Sequence, residues 1–224
     1  MIAVAACGAD EPAPEPATAQ PIVVAALGDS ITSGSPGYDP DPAARAALGF
    51  DNDERSQYEY WAKRADPRLE FRNCGVYGER TDEIATRLDG CAQGADVLVV
   101  QGGINDLAQG RAVPDAAADL RSIVRFGKRL GLEVALANVL PWNNGHPAAD
   151  RSIAELNRRI AAIADTERVR LLDFHAALRD PSRAGLMPPG MTADGDHPSV
   201  AGYRVLGELV ARRLAATSAD PGGG

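Results

Sequence analysis

Three side chains of the kinds that together cleave acyl bonds stand in this sequence: an alcohol, an imidazole and a carboxylate. The alcohol is Ser30, which follows the apolar run of "VVAALGDSITSG" (23–34). The other two lie in "MTADGDHPSVAGY" (191–203), where Asp194 and His197 are three residues apart in front of a helical pattern. A neutral hydroxyl is a poor nucleophile until a base removes its proton. A carboxylate on the far nitrogen of an imidazole fixes its tautomer and stabilises the imidazolium that proton transfer creates. Asp196 competes with Asp194 as the imidazole's partner.

Acyl transfer also needs donors aimed at the oxygen on which negative charge develops. The sequence offers the backbone N–H of Ser30, the N–H of Gly78 in "NCGVYGERT" (73–81), and the side-chain amide of Asn105 in "GGIND" (102–106). Asp29 is expected to bond backbone N–H groups near Ser30 and, with Ile104, Trp142 and Asn143, to lie where substrate binds. Asn73 and Asp106 are expected to hold their loops. His146, in "PWNNGHP", is read as a solvated loop histidine near the pocket rim, and His175 as structural.

For groups so far apart in the chain to meet, the elements between them must end at one place. Short apolar runs rich in β-formers at 22–27, 69–74, 96–103, 133–140 and 169–174 read as five strands. Helical patterns at 55–65, 81–88, 115–130, 147–165 and 199–216 alternate with them. Thr81 suits an N-cap, Pro114 and Pro147 suit first helical turns, and the last helix carries Val200, Tyr203, Leu206, Leu209, Val210 and Leu214 on one stripe. The alternation predicts an α/β fold, a parallel five-stranded sheet between two helical layers with right-handed crossovers. Ligands of such sheets bind beyond the carboxyl ends of the strands. Ser30, Gly78, Asn105 and Trp142 each follow a different strand and are expected on that edge.

"GDS", "NxGxxG" (Asn73 to Gly78), "GxND" (Gly103 to Asp106) and "DxxH" (Asp194 to His197) occur in this order, and together they resemble the four blocks of the SGNH, or GDSL-type, hydrolases. The resemblance covers about residues 21–214. It implies a flavodoxin-like α/β/α domain that hydrolyses esters or thioesters with no metal or cofactor, with Ser30, Gly78, Asn105 and His197 as the name-giving residues and Asp194 completing a triad. The partner it implies is a small-molecule or glycan ester. There is no G-x-S-x-G elbow of the α/β-hydrolase kind. A non-catalytic binding module of the same fold is the rival from another class, and it would be expected to lack one of these five groups. A flavodoxin-like oxidoreductase is disfavoured because no phosphate-cradling glycine fingerprint follows the first strand.

Composition narrows the field further. A chain of 224 residues with 45% hydrophobic residues fits one soluble domain. A net charge of −8, spread without blocks, disfavours nucleic-acid and anionic-membrane surfaces. The segment 35–56, long and rich in Pro and Asp, is expected to shape the substrate entrance as an open cleft.

Residues 1–20 read as a leader rich in Pro, Ala and Glu, 21–216 as the hydrolase domain and 217–224 as a structureless tail. The run ending in Cys7 resembles the end of a bacterial lipoprotein signal, although only six residues precede it. It gives the expectation of an extracytoplasmic protein, periplasmic or at the cell surface, tethered to the membrane through Cys7. Cys74 and Cys91 would then be an even pair in an oxidising compartment. A straight helix of eight residues between them would span about 12 Å, against the roughly 7 Å a disulfide tolerates between Cα atoms. The sequence leaves both the bridge and the free thiols open.

Overall fold

The computed structural model describes residues 20–215. The expected leader with Cys7 and the expected tail lie outside the described residues. Five strands form one parallel sheet: β1 (Ile22–Gly28), β2 (Leu69–Gly75), β3 (Val97–Val100), β4 (Glu133–Ala137) and β5 (Arg170–Leu172), in the order β2-β1-β3-β4-β5. This is the predicted flavodoxin-like α/β/α arrangement, and the short helices α1 (Ser30–Ser33) and α2 (Pro42–Leu48) follow β1 in the chain as α6 (Ile104–Ala108) follows β3.

Alternation along the strands explains the layers. Val24, Ala26, Val97, Val99, Ala135 and Ala137 face a core shared with α3 (Tyr58–Ala65), α9 (Phe174–Leu178) and α10 (Val200–Ala215). Their neighbours Ala25, Leu27, Leu98, Val100, Val134 and Leu136 face α4 (Thr81–Thr86), α5 (Leu88–Ala92), α7 (Val113–Arg129) and α8 (Asp150–Glu167). Every one of these strand residues is at most 5% exposed, which is why the strands read as continuous apolar runs rather than alternating ones.

β3, β4 and β5 end earlier than the sequence suggests. The apolar residues beyond them belong to loops whose polar groups are satisfied individually: Val139 N–H donates to Asn157, whose amide donates back to Val139 O, both at 2.8 Å. Thr81 does not cap α4. It is the first helical residue, and its hydroxyl and N–H donate to buried Asp106 at 2.8 and 2.9 Å. Pro147 precedes its helix, which starts at Asp150.

The single helix expected at 81–88 is broken at Arg87 into α4 and α5. The break returns Cys91 to the end of β2, where it is bonded to Cys74 with the Cα atoms 6.1 Å apart. The straight-helix distance therefore does not apply. For partners 17 residues apart, loop closure gives the bond about 3 kcal/mol of stability. Reduction, or the Cys74→Ser/Cys91→Ser pair of substitutions, should lower the melting temperature by roughly 6–12 °C. Calorimetry with and without reductant would measure this, and an unchanged transition would show that the bond contributes nothing.

Candidate active site

The carboxyl ends of β1 and β2 are built to carry a helix at very close range. Gly28 and Gly75 are partners in register at the ends of these strands. A Cβ on Gly28 would strike the Thr32 hydroxyl, and one on Gly75 would strike the backbone of Ser33. Both residues belong to α1 (Ser30–Ser33), a single turn that begins at the candidate alcohol. Asp29 caps this turn by accepting from Ile31 N–H at 2.9 Å. At the helix start Ser30 N–H has no intrahelical acceptor and is left for a ligand.

His197 reaches Ser30 from a compact loop. Asp194 Oδ1 accepts the N–H groups of Asp196 (2.9 Å) and His197 (2.8 Å), while Thr192 Oγ1 donates to His197 O at 2.9 Å. The other carboxylate oxygen, Asp194 Oδ2, lies 2.8 Å from His197 Nδ1, and His197 Nε2 lies 3.0 Å from Ser30 Oγ. Burial raises the Asp194 pKa, but the hydrogen bonds from the His197 ring and the two N–H groups outweigh it and leave it lowered. Ionised Asp194 requires the proton on Nδ1, so Nε2 is the acceptor for the Ser30 hydroxyl.

The candidate donors line the same cleft. Gly78 adopts φ +79, a conformation that favours glycine. The Asn105 side chain gives one N–H to Glu79 O at 2.9 Å, and its second N–H remains for a ligand. Ser30, Gly78, Asn105 and His197 line one cleft of about 130 Å³ together with Ile31, Tyr77, Ile104, Ala108, Trp142 and Asp196. The arrangement can move a proton from Ser30 to His197 and hold an anionic oxygen against N–H donors. Among the described residues, no group of three or more His, Cys, Asp and Glu side chains is placed to hold a metal ion.

Of the residues expected to contact substrate, Ile104 and Trp142 line the cleft, and Asp29 and Asn143 do not. Asp29 is fully buried beneath α1, because its carboxylate serves as the cap. Asn143 turns to its neighbouring loop, donating to Met187 O (3.1 Å) and accepting from Met187 N–H (2.7 Å). Asp196 does not partner His197: its Oδ1 accepts from Trp142 Nε1 (2.6 Å) and Asn144 Nδ2 (2.7 Å). Asn73 and Asp106 hold loops as expected, Asn73 by donating to Thr32 O at 2.8 Å. His146 pairs with Asp150 away from this cleft, at 2.9 Å, and His175 Nδ1 lies 3.1 Å from Val139 O. The segment 35–56 does reach the entrance: the Phe50 ring meets Tyr77 edge-on at 5.7 Å, and Tyr77 stacks on His197 at 6.1 Å.

Two supporting residues escaped the sequence reading. Gln101, directly after β3, donates to Asp29 Oδ2 (3.1 Å) and accepts from Thr32 Oγ1 (2.9 Å). A polar residue ending the run "DVLVV" was the available signal. Arg87 donates to Cys74 O (2.6 Å) and Gly28 O (3.1 Å) and pairs with Glu79, bracing the turn that carries Gly78. No local pattern marks this arginine.

Residues 26–205 match the profile of the GDSL-like lipase/acylhydrolase family. The chain belongs to this family. No curated protein matches the sequence significantly. Similar folds include a G-D-S-L family protein from Desulfitobacterium hafniense (TM-score 0.71, 21% identity, covering 86% of this chain and 99% of that one). A GDSL-like lipase from Bacteroides thetaiotaomicron is similar at TM-score 0.69 and 20% identity over 90% and 93% of the two chains. So is a variant of an acetyl-xylooligosaccharide esterase from Geobacillus stearothermophilus, at TM-score 0.66 and 22% identity over 87% and 94%.

Burial, partly offset by the Ile31 N–H and the Gln101 amide, pushes the Asp29 carboxyl from 3.8 up to about 6. The native state then keeps a proton that the unfolded chain releases at lower pH. The stability this contributes is fully present below about pH 4 and is lost as the pH rises through about 6, a change of roughly 3 kcal/mol at most. In Asp29→Asn this dependence disappears. The melting temperature of the variant minus that of the wild type should climb between pH 4 and pH 6 and then level off. Parallel curves would show that Asp29 ionises normally.

Proposed function

We propose that this chain is a serine esterase that hydrolyses carboxylic esters of short acyl groups through an acyl-Ser30 intermediate. The observation that carries the reading is the continuous relay from Asp194 through His197 to Ser30, with bonds of 2.8 and 3.0 Å, in a cleft that Gly78 and Asn105 also line. Ser30 Oγ attacks the ester carbonyl carbon as His197 Nε2 takes the hydroxyl proton, and the carbonyl π electrons move onto oxygen. The N–H groups of Ser30 and Gly78 and the free N–H of Asn105 receive that charge. The tetrahedral adduct collapses, the bond to the leaving oxygen breaks, and His197 returns the proton to it. Water, deprotonated by His197, then attacks the acyl-Ser30 carbonyl; the bond from the acyl carbon to Ser30 Oγ breaks, His197 returns the proton to Oγ, and the acid is freed.

The preference for a short acyl group rests on space. About 130 Å³ is less than half of the roughly 300 Å³ at the lower end of drug-sized ligand sites. Ile31, Ile104 and Ala108 give it apolar walls. The acetyl-xylooligosaccharide esterase of the same fold acts, by its name, on a small acyl group. The Cys74–Cys91 bond supports an extracytoplasmic location, since such bonds persist in oxidising compartments.

The wild type should turn over p-nitrophenyl acetate, and far more slowly the octanoate. Ser30→Ala should lose at least ~1000-fold in kcat, and Asn105→Ala about 100- to 1000-fold. A Ser30→Ala rate equal to the wild type's would favour a binding module.

A further inference from the structure

We infer that Asp196 reads the alcohol half of the substrate, selecting leaving alcohols that carry a second hydroxyl close to the ester oxygen. The inference rests on the esterase reading. It starts from the division of labour between two carboxylates in one loop. Asp194 is committed to His197 through both oxygens. Asp196 is committed through one: Oδ1 accepts from Trp142 Nε1 at 2.6 Å and from Asn144 Nδ2 at 2.7 Å, while among the described residues Oδ2 has no hydrogen-bond donor.

The free oxygen belongs to a residue of the cleft wall, beside His197. Two anchors hold the carboxylate there. Trp142 and Asn144 fix its orientation directly, and Asn144 Nδ2 also donates to Asp194 O at 3.1 Å, while the N–H groups of Asn143 and Asn144 donate to Gly195 O at 3.0 and 3.3 Å. The loop after β4 thus clamps the loop that bears the imidazole. An acceptor held in place in advance loses little entropy when a donor arrives.

Its position assigns it to the leaving group. The leaving oxygen must come within hydrogen-bond reach of His197 Nε2 to take up its proton. The atoms attached to that oxygen therefore leave the reacting centre beside His197, and Asp196, the residue before it in the chain, lines the same cleft together with Trp142 and with Tyr77, which stacks on the His197 ring. A carboxylate oxygen accepts and cannot donate, so it matches O–H. The indole beside it offers an apolar face to C–H groups. A polyol ester has both: hydroxyl edges and a C–H face.

The test compares kcat/KM for three acetate esters in wild type and Asp196→Asn. The amide keeps an oxygen for Trp142 and Asn144 but turns the unpartnered atom from acceptor into donor. The esters are glycerol monoacetate, acetylcholine and p-nitrophenyl acetate, the last serving as the reference within each protein. The ratio for glycerol monoacetate should fall at least 10-fold in the variant, and that for acetylcholine should move less than twofold. An unchanged glycerol ratio would overturn the inference, as would an equal fall for acetylcholine, which would make Asp196 a cation attractor. If the wild type fails to turn over p-nitrophenyl acetate, the esterase reading fails instead. Activity there with an unchanged glycerol ratio removes only the role of Asp196.

Discussion

A hydrogen bond between two side chains survives displacements of only a few tenths of an ångström, and the one joining Ser30 Oγ to His197 Nε2 spans 3.0 Å and 167 residues of sequence. Much of the structure at the carboxyl edge of the sheet serves to keep its two ends in place. On the Ser30 side this is achieved by removing atoms. Gly28 and Gly75, side by side in the sheet, let α1 lie directly on the strand ends, where any Cβ would collide with it. On the His197 side it is achieved by adding bonds, with one carboxylate serving both the ring and the backbone of the same residue. Neither device works alone, because a rigid alcohol is useless beside a mobile imidazole.

Precision at this edge is bought with polar groups buried under the helix. Asp29, Thr32 and Gln101 form one fully buried set, and buried Asp106 and Thr81 form another with half-buried Arg111. A fully buried network holds its members in one geometry because an unpartnered group there is costly. The same burial leaves the Asp29 carboxyl with its pKa raised to about 6, so charge beneath α1 is disfavoured below that pH. Arg87 plays the corresponding part for the Gly78 turn by tying two strand-end carbonyls to Glu79.

Most of this was legible in the sequence, for a physical reason. Strand and helix alternation placed Ser30, Gly78, Asn105 and Trp142 on one edge, since a parallel sheet puts all its strand ends together. Motif spacing alone separated Asp194 from Asp196, and the loop's hydrogen bonds follow that choice. What failed depended on contacts between distant segments. Asp29 and Asn143 are close to the site in sequence but point into the protein, and adjacency cannot tell which way a side chain turns. The break at Arg87 that brings Cys91 back to Cys74 has no Pro or Gly at that position, and Gly90 stands only beyond it, so a straight helix up to residue 88 was the natural reading. Gln101 and Arg87 act through tertiary bonds alone and leave no periodic trace.

The proposed reaction stands or falls with Ser30 as the activated alcohol. Incubation with a p-nitrophenyl alkylphosphonate, followed by peptide mass mapping, tests it directly, because the phosphorus is attacked by the activated hydroxyl and the adduct stays in place. One adduct per chain is expected, on Ser30, with loss of ester hydrolysis in proportion to labelling and little labelling of His197→Gln. An adduct on another residue, or hydrolysis that persists after Ser30 is fully labelled, would contradict it.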